Sequence, residues 1–501
     1  MITVGGYELD YEQLEAATSE SSNVLVVAGA GSGKTTTIVG KIKYMIENGI
    51  NSSDILCISF TNASVSSLHD KILKETGSNI EVYTFHKLSM NIIENNKLEY
   101  KLSRPDLLEY LVDEYFNSLI YDDINIMYTY LKYLSVFNLK INVLKRYKKN
   151  FNNSISNLII KFIRLMKTNG YTIYDFNKFK KRRYSKDFYL LKLILIIYQY
   201  YMDELESNNE LDFDDLIIKA TDIINNGGLI HNYKCIIIDE FQDSSYVRFN
   251  LIRSIQNRTK SKLFVVGDDF QSIYKFAGCN LNIMLDFNKY PNTKIYNITN
   301  TYRNSQELID IAGSFVMKNK RQIPKKLKSN IHLDNPIVIV RYKNYKSDFK
   351  KLLKKINVKN SILILGRYNK DIYKILDKDY NVSSGLSIEY IPMKRKMKYM
   401  TVHKSKGLEE DVVIIINLTD DKMGFPSKLE DDKILNLVSP RVDKYPYSEE
   451  RRLFYVALTR TKSYVYLYTP MTNESTFVNE LKRIGHIEDI KLWKGGVVWI
   501  M

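Results

Sequence analysis

The sequence predicts an α/β protein of two parallel-sheet lobes, with an all-helical insertion in the first lobe. Three observations predict it. Short β-branched apolar runs alternate with helical stretches at both ends of the chain, the rhythm of a parallel sheet covered by helices. Between them lies a long segment of Leu, Ile and Tyr at helical spacing, with very few Gly or Pro. The chain has 501 residues, too many for one core.

The elements follow in order. Residues 1–98 carry apolar runs at Val24–Ala28, Ile55–Phe60 and Glu81–Phe85 and form the first part of the first lobe. Residues 99–208 form the helical insertion. The α/β rhythm resumes over 209–292, with Lys234–Asp239 and Lys262–Gly267. A break falls near Tyr290–Thr301. The second lobe, 293–501, carries runs at Ile337–Val340, Ser361–Leu365, Val412–Asn417 and Tyr464–Tyr468.

Composition narrows the function. The chain is 45% hydrophobic and 26% charged, as globular proteins are. No apolar run reaches the length of a membrane span, and residues 1–10 lack the basic start and apolar core of a secretory signal. Cys57, Cys235 and Cys279 are isolated and lack metal-ligand spacing. A cytoplasmic protein is expected. The net charge of +16 favours a polyanionic partner. Three basic clusters stand out: Lys318–Lys359, with 14 Lys or Arg against 2 Asp, then Lys178–Lys186 and Lys394–Lys398.

Two strings carry chemistry. Asn23–Thr35 is an apolar strand running into a Gly-rich turn that ends in Lys34-Thr35 and opens a helix. Gly29, Gly31 and Gly33 let the backbone curl so that several N–H groups face one anion, and the helix adds its positive end. Lys34 then reaches the β- and γ-phosphates, and the Thr35 hydroxyl ligates Mg²⁺. The strict pattern has Gly at its first position, where this chain has Ala28. The second string, Ile236-Ile-Ile-Asp239-Glu240-Phe-Gln242-Asp243, ends a buried strand in two carboxylates. Asp239 is placed to hold Mg²⁺, and Glu240 to orient and deprotonate the attacking water.

With these residues in view, the chain resembles superfamily 1 DNA helicases of the UvrD/Rep type. Leu9-Asp-Tyr-Glu-Gln13 resembles the Q motif, Ala28–Thr35 motif I, Ser59–Asn62 motif Ia and Tyr83–His86 motif Ib. Asp239–Asp243 resembles motif II, Val266–Tyr274 motif III and Thr301–Ser305 motif IV. Thr401–Glu409 resembles motif V and Glu449–Arg460 motif VI. The resemblance implies two RecA-like lobes (1A and 2A), with 1B as the helical insertion.

It also implies roles. The nucleotide would be ATP with Mg²⁺, cradled by Ala28, Gly29, Ala30, Gly31, Ser32, Gly33, Lys34, Thr35 and Thr36. Gln13 would read adenine, Tyr302 would stack on it, and Gly407 and Glu409 would face the nucleotide. Lys34, Asp239, Glu240, Gln271, Arg303 and Arg460 would form the catalytic set. Gln271 would sense the γ-phosphate, and the two arginines would stabilise charge on the transferring phosphoryl group. Single-stranded DNA would stack on Phe60, Tyr274 and Phe276 and meet Thr61, Asn62, Thr84, His86 and His403. The implied activity is ATP-driven 3′-to-5′ translocation and strand separation, in DNA repair or anti-phage defence. The alternative is a DNA-stimulated ATPase that senses DNA or recruits an effector, as compact helicases of defence systems such as Gabija do.

The chain departs from the family at three places. Lys275-Phe276-Ala277-Gly278 lacks the arginine that usually follows motif III. Thr36 stands where many relatives carry Arg. Only residues 304–400 separate motif IV from motif V, so the 2B domain is expected to be absent or vestigial. A regulating protein partner, such as a nuclease subunit, is expected in its place. The substrate is expected to be single-stranded DNA or a 3′-tailed duplex, with no membrane partner.

Overall fold

The computed structural model describes residues 2–117, 124–135, 141–179, 185–383, 387–440 and 443–492. Two sheets organise it. The first has six strands, all parallel, in the order Thr293–Ile298, Asn23–Ala28, Lys262–Gly267, Cys235–Ile238, Ile55–Ile58, Val82–Tyr83. Its inner strands are nearly continuous apolar runs because helices cover both faces, and every side chain but that of Lys262 is buried. Asn23–Ala28, for example, is buried at all six positions.

Thr293–Ile298 corrects the expected boundary. Its sequence was assigned to the second lobe, yet it pairs along Asn23–Ala28 in the first sheet. It is an edge strand with three exposed or half-exposed side chains in its first three positions. An edge strand needs no continuous apolar run, and Thr-Lys-Ile-Tyr-Asn-Ile therefore carries a weak strand signal.

The second sheet has eight strands. Five of them (Ile362–Gly366, Glu410–Ile415, Thr461–Pro470, Ile337–Tyr342 and Glu488–Lys491) run parallel. Arg395–Thr401 joins them in parallel and is extended by an antiparallel edge, Ser387–Tyr390 and Tyr380–Ser383. Along Arg395–Thr401 burial alternates, because one face packs on the core and the other meets solvent. The described residues between motif IV and motif V are thus used by this lobe itself. They supply helices Gln306–Val316 and Tyr345–Lys355 and strands Ile337–Tyr342, Ile362–Gly366, Tyr380–Ser383 and Ser387–Tyr390, and lead into Arg395–Thr401.

The helical insertion consists of helices Leu107–Asn117, Ile124–Ser135, Ile141–Thr168 and Lys186–Ser207 around one apolar core. It is rooted in the first lobe by a short parallel pair, Lys101–Leu102 with Glu210–Leu211. At the root the buried Lys167 ammonium sits 2.5 Å from Asp212 and 2.8 Å from Asp215. Tyr201 donates to the same Asp212 at 2.7 Å.

Part of each basic cluster of the second lobe is structural, while Lys320, Lys326, Lys328, Lys354, Lys359, Lys394 and Lys396 stay exposed. Within Lys318–Lys359, Lys318, Lys325, Arg341, Lys350 and Lys351 each pair with carboxylates of the lobes. In Lys394–Lys398, Arg395 is buried and donates to the carbonyls of Leu353, Ile356 and Asn357. Lys398 pairs with Glu410. These cations satisfy carbonyls and carboxylates that folding would otherwise bury unpaired. In the third cluster, residues 180–184 lie outside the described residues, and Lys178 pairs with Asp175.

Candidate functional site

A cleft of about 1110 Å³ lies where the carboxyl ends of the first sheet face the second lobe, the crevice that open α/β sheets offer to ligands. The glycine-rich turn forms its floor. Gly31 and Gly33 have φ of 73° and 79°, and a side chain on Gly31 would collide with Arg303. Gly33 is the N-cap of helix Lys34–Glu47 and offers no side-chain cap. The first-turn N–H groups are therefore left for an anion.

The segment entering the second lobe lies directly on this turn. Thr301 donates its hydroxyl to the Ala30 carbonyl at 2.7 Å, and the Tyr302 N–H meets the Gly31 carbonyl at 3.0 Å. Tyr302 keeps 60% of its surface exposed, with its hydroxyl 3.1 Å from Asp10. Arg303 lies beside the turn and forms an ion pair with Glu409 at 2.5 Å. Gln13 is buried behind Gly33, where Nε2 donates to the Ser32 carbonyl and Oε1 accepts from the Asp10 N–H.

The paired carboxylates stand at the end of Cys235–Ile238. Glu240 is left-handed (φ 50°), which turns its side chain into the cleft, and its N–H donates to Asp239. Burial, then the neighbouring Glu240, pushes Asp239 up to about 7. Glu240 goes the other way: against its own desolvation, Lys34 and Lys406 hold it at about 2. Lys34 Nζ is 3.9 Å from Glu240. Lys406 Nζ is 3.5 Å from Glu240 and 2.5 Å from Asp243, and it also donates to the Gln271 carbonyl. Thr35 and Asp239 line the same cleft with the oxygen donors that a hard divalent cation takes. A carboxylate that resists ionisation for want of a close counter-charge fits such an ion.

Gln271 joins the lobes. Its Nε2 donates to Asp268 at 2.6 Å, and its Oε1 accepts from Arg460 Nη2 at 3.3 Å. Arg460 is fully buried, and desolvation, then the charge of Arg303, lowers it to about 10.

A second gathering lies near the root of the helical insertion. Phe276, 52% exposed, has the His403 ring 5.4 Å away and the Tyr274 ring 6.0 Å away. Tyr274 donates its hydroxyl to the His403 carbonyl at 2.9 Å. Phe276 and His86 line a groove of about 400 Å³ shared with Arg164 and Arg248. Burial, then Arg248, lowers His86 to about 4; burial, then Arg367, does the same for His403. Both imidazoles are neutral at pH 7.

Residues 9–292 match the UvrD/REP helicase N-terminal domain, and residues 385–471 match the UvrD-like helicase C-terminal domain. The chain belongs to the UvrD/Rep helicase family. Relatives include DNA helicase IV of Escherichia coli K12, 26% identical over 95% of this chain and 70% of the relative. A probable DNA helicase of Mycoplasma pneumoniae is 27% identical over 92% of this chain and 83% of its own length. The ATP-dependent DNA helicase Rep of Buchnera aphidicola from Acyrthosiphon pisum is 29% identical over 83% of this chain and 64% of its own length.

Against the UvrD/Rep motifs, the structure moves some expected residues. Ala28 is fully buried inside its strand and gives no surface to the cleft. Thr61, expected on DNA, lines the inter-lobe cleft. Its hydroxyl is taken up by capping helix Asn62–Thr76 through the Ser64 N–H. Thr84 likewise caps helix Phe85–Asn95, and Asn62 is exposed at the first turn of its helix. Phe60 is half-buried, edge-on to the core Phe85 at 5.3 Å, under Arg248.

Other residues escaped the sequence reading. Lys406 sits inside the motif V string, which is the signal that could have found it. Lys71 lines the cleft and donates to Thr36 at 3.0 Å, so it brings a cation beside Thr36. Lys325 is buried between Asp268 and Asp269, at 2.6 Å from each; within a run of surface lysines nothing marks it.

Proposed function

We propose that this UvrD/Rep-family helicase binds ATP with Mg²⁺ in the inter-lobe cleft and couples its hydrolysis to 3′-to-5′ movement along single-stranded DNA, separating a duplex ahead. The observation that carries this reading is that Lys34, Glu240, Gln271, Arg303 and Arg460, spread over both lobes, line one cleft around the glycine-rich turn.

The turn and the start of helix Lys34–Glu47 grip the phosphates, with Lys34 at the β- and γ-positions. Thr35 and Asp239 would hold Mg²⁺, and the ion would supply positive charge to the phosphate oxygens. Glu240 is ionised at neutral pH and so can accept the proton of the attacking water. Arg303 and Arg460 offer planar cations to the charge that develops during transfer. Tyr302 presents an exposed face to adenine, near Gln13.

The path from phosphate to strand is short. Only Ser272, Ile273, Tyr274 and Lys275 separate Gln271 from Phe276 in the chain. Along it Arg452 of the second lobe donates to the Ser272 carbonyl at 2.6 Å, and Tyr274 holds the His403 carbonyl. A change at Gln271 therefore shifts the stacking ring relative to the second lobe. Stacking tolerates any base, as a translocating motor requires.

The test compares ATP turnover with and without single-stranded DNA, and strand displacement on 3′-tailed against 5′-tailed duplexes. DNA-stimulated turnover with displacement of the 3′-tailed substrate supports the motor. Stimulated turnover without displacement supports the sensing or recruiting role instead. The setting we propose is cytoplasmic DNA repair or anti-phage defence, with a regulating partner such as a nuclease subunit. Co-purification from native cells identifies that partner. Among the described residues no helix is long and apolar enough to cross a membrane.

A further inference from the structure

Between the end of strand Glu410–Ile415 and helix Ser448–Leu458, the second lobe sends out a segment that it does not keep. The segment leaves beside Phe425, which is buried in the second-lobe core. At Ser427 it is pinned, its N–H donating to Glu450 at 2.9 Å and its hydroxyl oxygen accepting from Tyr368 at 2.6 Å. It is tied back at Asp443, which accepts from Asn319 at 2.6 Å. Between these anchors, Ile434, Leu435 and Val438 are 0%, 3% and 0% exposed, and the core they enter is that of the helical insertion. A single-turn helix, Lys433–Leu437, capped by Asp432, presents them. Asp431 adds an ion pair to Lys161 of helix Ile141–Thr168 at 2.5 Å.

We infer that residues 429–440 are a strap by which the second lobe carries the helical insertion, making the insertion a moving wall of the strand groove. This rests on the proposed motor reading. The physical ground is the asymmetry of the two attachments. Toward the first lobe the insertion is held at its root, by Lys167 and Tyr201 on Asp212, by Thr168 donating to Asp214 at 2.8 Å and packing on Gly278, by Gly170 against Tyr246, and by the short strand pair. Toward the second lobe it is held by apolar side chains buried in the middle of its core. Relative motion of the lobes must flex one attachment. Withdrawing fully buried side chains exposes apolar surface, whereas a root can pivot about its pairs without doing so. The insertion therefore follows the second lobe. Its side chains Arg104, Leu108 and Arg164 line the groove with Phe276 and His86, so lobe movement widens or narrows that groove. Nucleotide state would thereby set the grip on the strand without a 2B domain.

The test uses the full chain with fluorophore pairs placed by cysteine substitution at Tyr174 (insertion), Leu229 (first lobe) and Val358 (second lobe), which are 81%, 71% and 66% exposed. The native cysteines are buried. On adding a non-hydrolysable ATP analogue, the Leu229–Val358 and Tyr174–Leu229 distances should change while Tyr174–Val358 stays fixed. A fixed Tyr174–Leu229 distance with a changing Tyr174–Val358 distance overturns the strap, and leaves the motor standing. No change in any distance removes lobe closure, and the motor reading with it. A second variant lengthens the strap with flexible Gly/Ser stretches after Lys428 and after Ser439, leaving the buried side chains in place. It should keep DNA-stimulated turnover within about twofold and lose at least fivefold in base pairs displaced per ATP. Unchanged coupling overturns the inference. Should this variant fail to fold, the distances in the unlengthened chain decide.

Discussion

Arg460 Nη2 stands 3.3 Å from Gln271 Oε1, across 189 residues of sequence. One residue comes from the second lobe's motif VI string and the other from the first lobe's motif III string. A side chain expected to sense the γ-phosphate is thus already bonded to a cation expected to stabilise it. Replacing Arg460 by Lys keeps the charge and loses the planar fork. Turnover should fall by about 10³-fold or more, the scale of a missing arginine finger, while ATP affinity falls much less. Steady-state turnover with separate nucleotide-binding measurements checks this; loss of binding alone would point to a structural role.

The cleft residues make a second prediction. Glu240→Gln should bind ATP and hydrolyse it about 10²- to 10⁴-fold more slowly, the range for a lost general base. Lys34→Ala should abolish turnover and leave strand binding largely intact. Retained turnover in Glu240→Gln removes that residue as the base.

Lys406 is a test of the structure rather than of the motif set. It is buried, and it bridges Glu240 and Asp243. Lys406→Met leaves the buried Asp243 without its cation and the half-buried Glu240 with Lys34 alone. Breaking such a pair costs about 3–5 kcal/mol, so unfolding in urea should shift by that amount and turnover should fall as Glu240 loses its counter-charge. A stability change under about 1 kcal/mol, the range of an exposed pair, would show that water already satisfies these groups.

Phe276 carries the strand prediction. Phe276→Ala should weaken affinity for a short oligonucleotide by about 1–3 kcal/mol, one stacked base. Turnover without DNA should not change. Fluorescence anisotropy reads the first quantity and a coupled assay the second.

The two half-buried histidines predict a pH dependence. In the folded protein His86 and His403 lie at about 4, below the reference value of 6.5. Between those limits the unfolded chain binds protons that the folded chain refuses. Stability is therefore full above pH 6.5 and declines as pH falls toward 4, by at most about 1.4 kcal/mol per pH unit for each histidine. Urea midpoints measured from pH 7 to 4.5 for the protein and for the His86→Gln/His403→Gln double variant should converge at the acid end. Parallel curves would place both imidazoles in water.

The amino-acid sequence alone determined what is local. The glycine-rich turn offers consecutive backbone N–H groups, so the phosphate cradle proposed at Gly29 to Thr35 is read without reference to anything distant. Asp239 and Glu240 follow a run of buried isoleucines for the same reason, and the parallel sheets announce themselves because inner strands must be apolar on both faces. Tertiary structure decided what depends on partners far along the chain. Lys325, Arg341 and Arg395 belong to basic runs that look like a nucleic-acid surface, and only folding brings carboxylates and carbonyls to them. Thr293–Ile298 joined the first sheet because an edge strand needs a neighbour more than an apolar pattern. Lys406 reaches Asp243 across 163 positions, and Ile434 enters the core of a helical layer more than 200 positions away. Such contacts leave no periodic trace, since burial and charge pairing act through space while a motif is written along the chain.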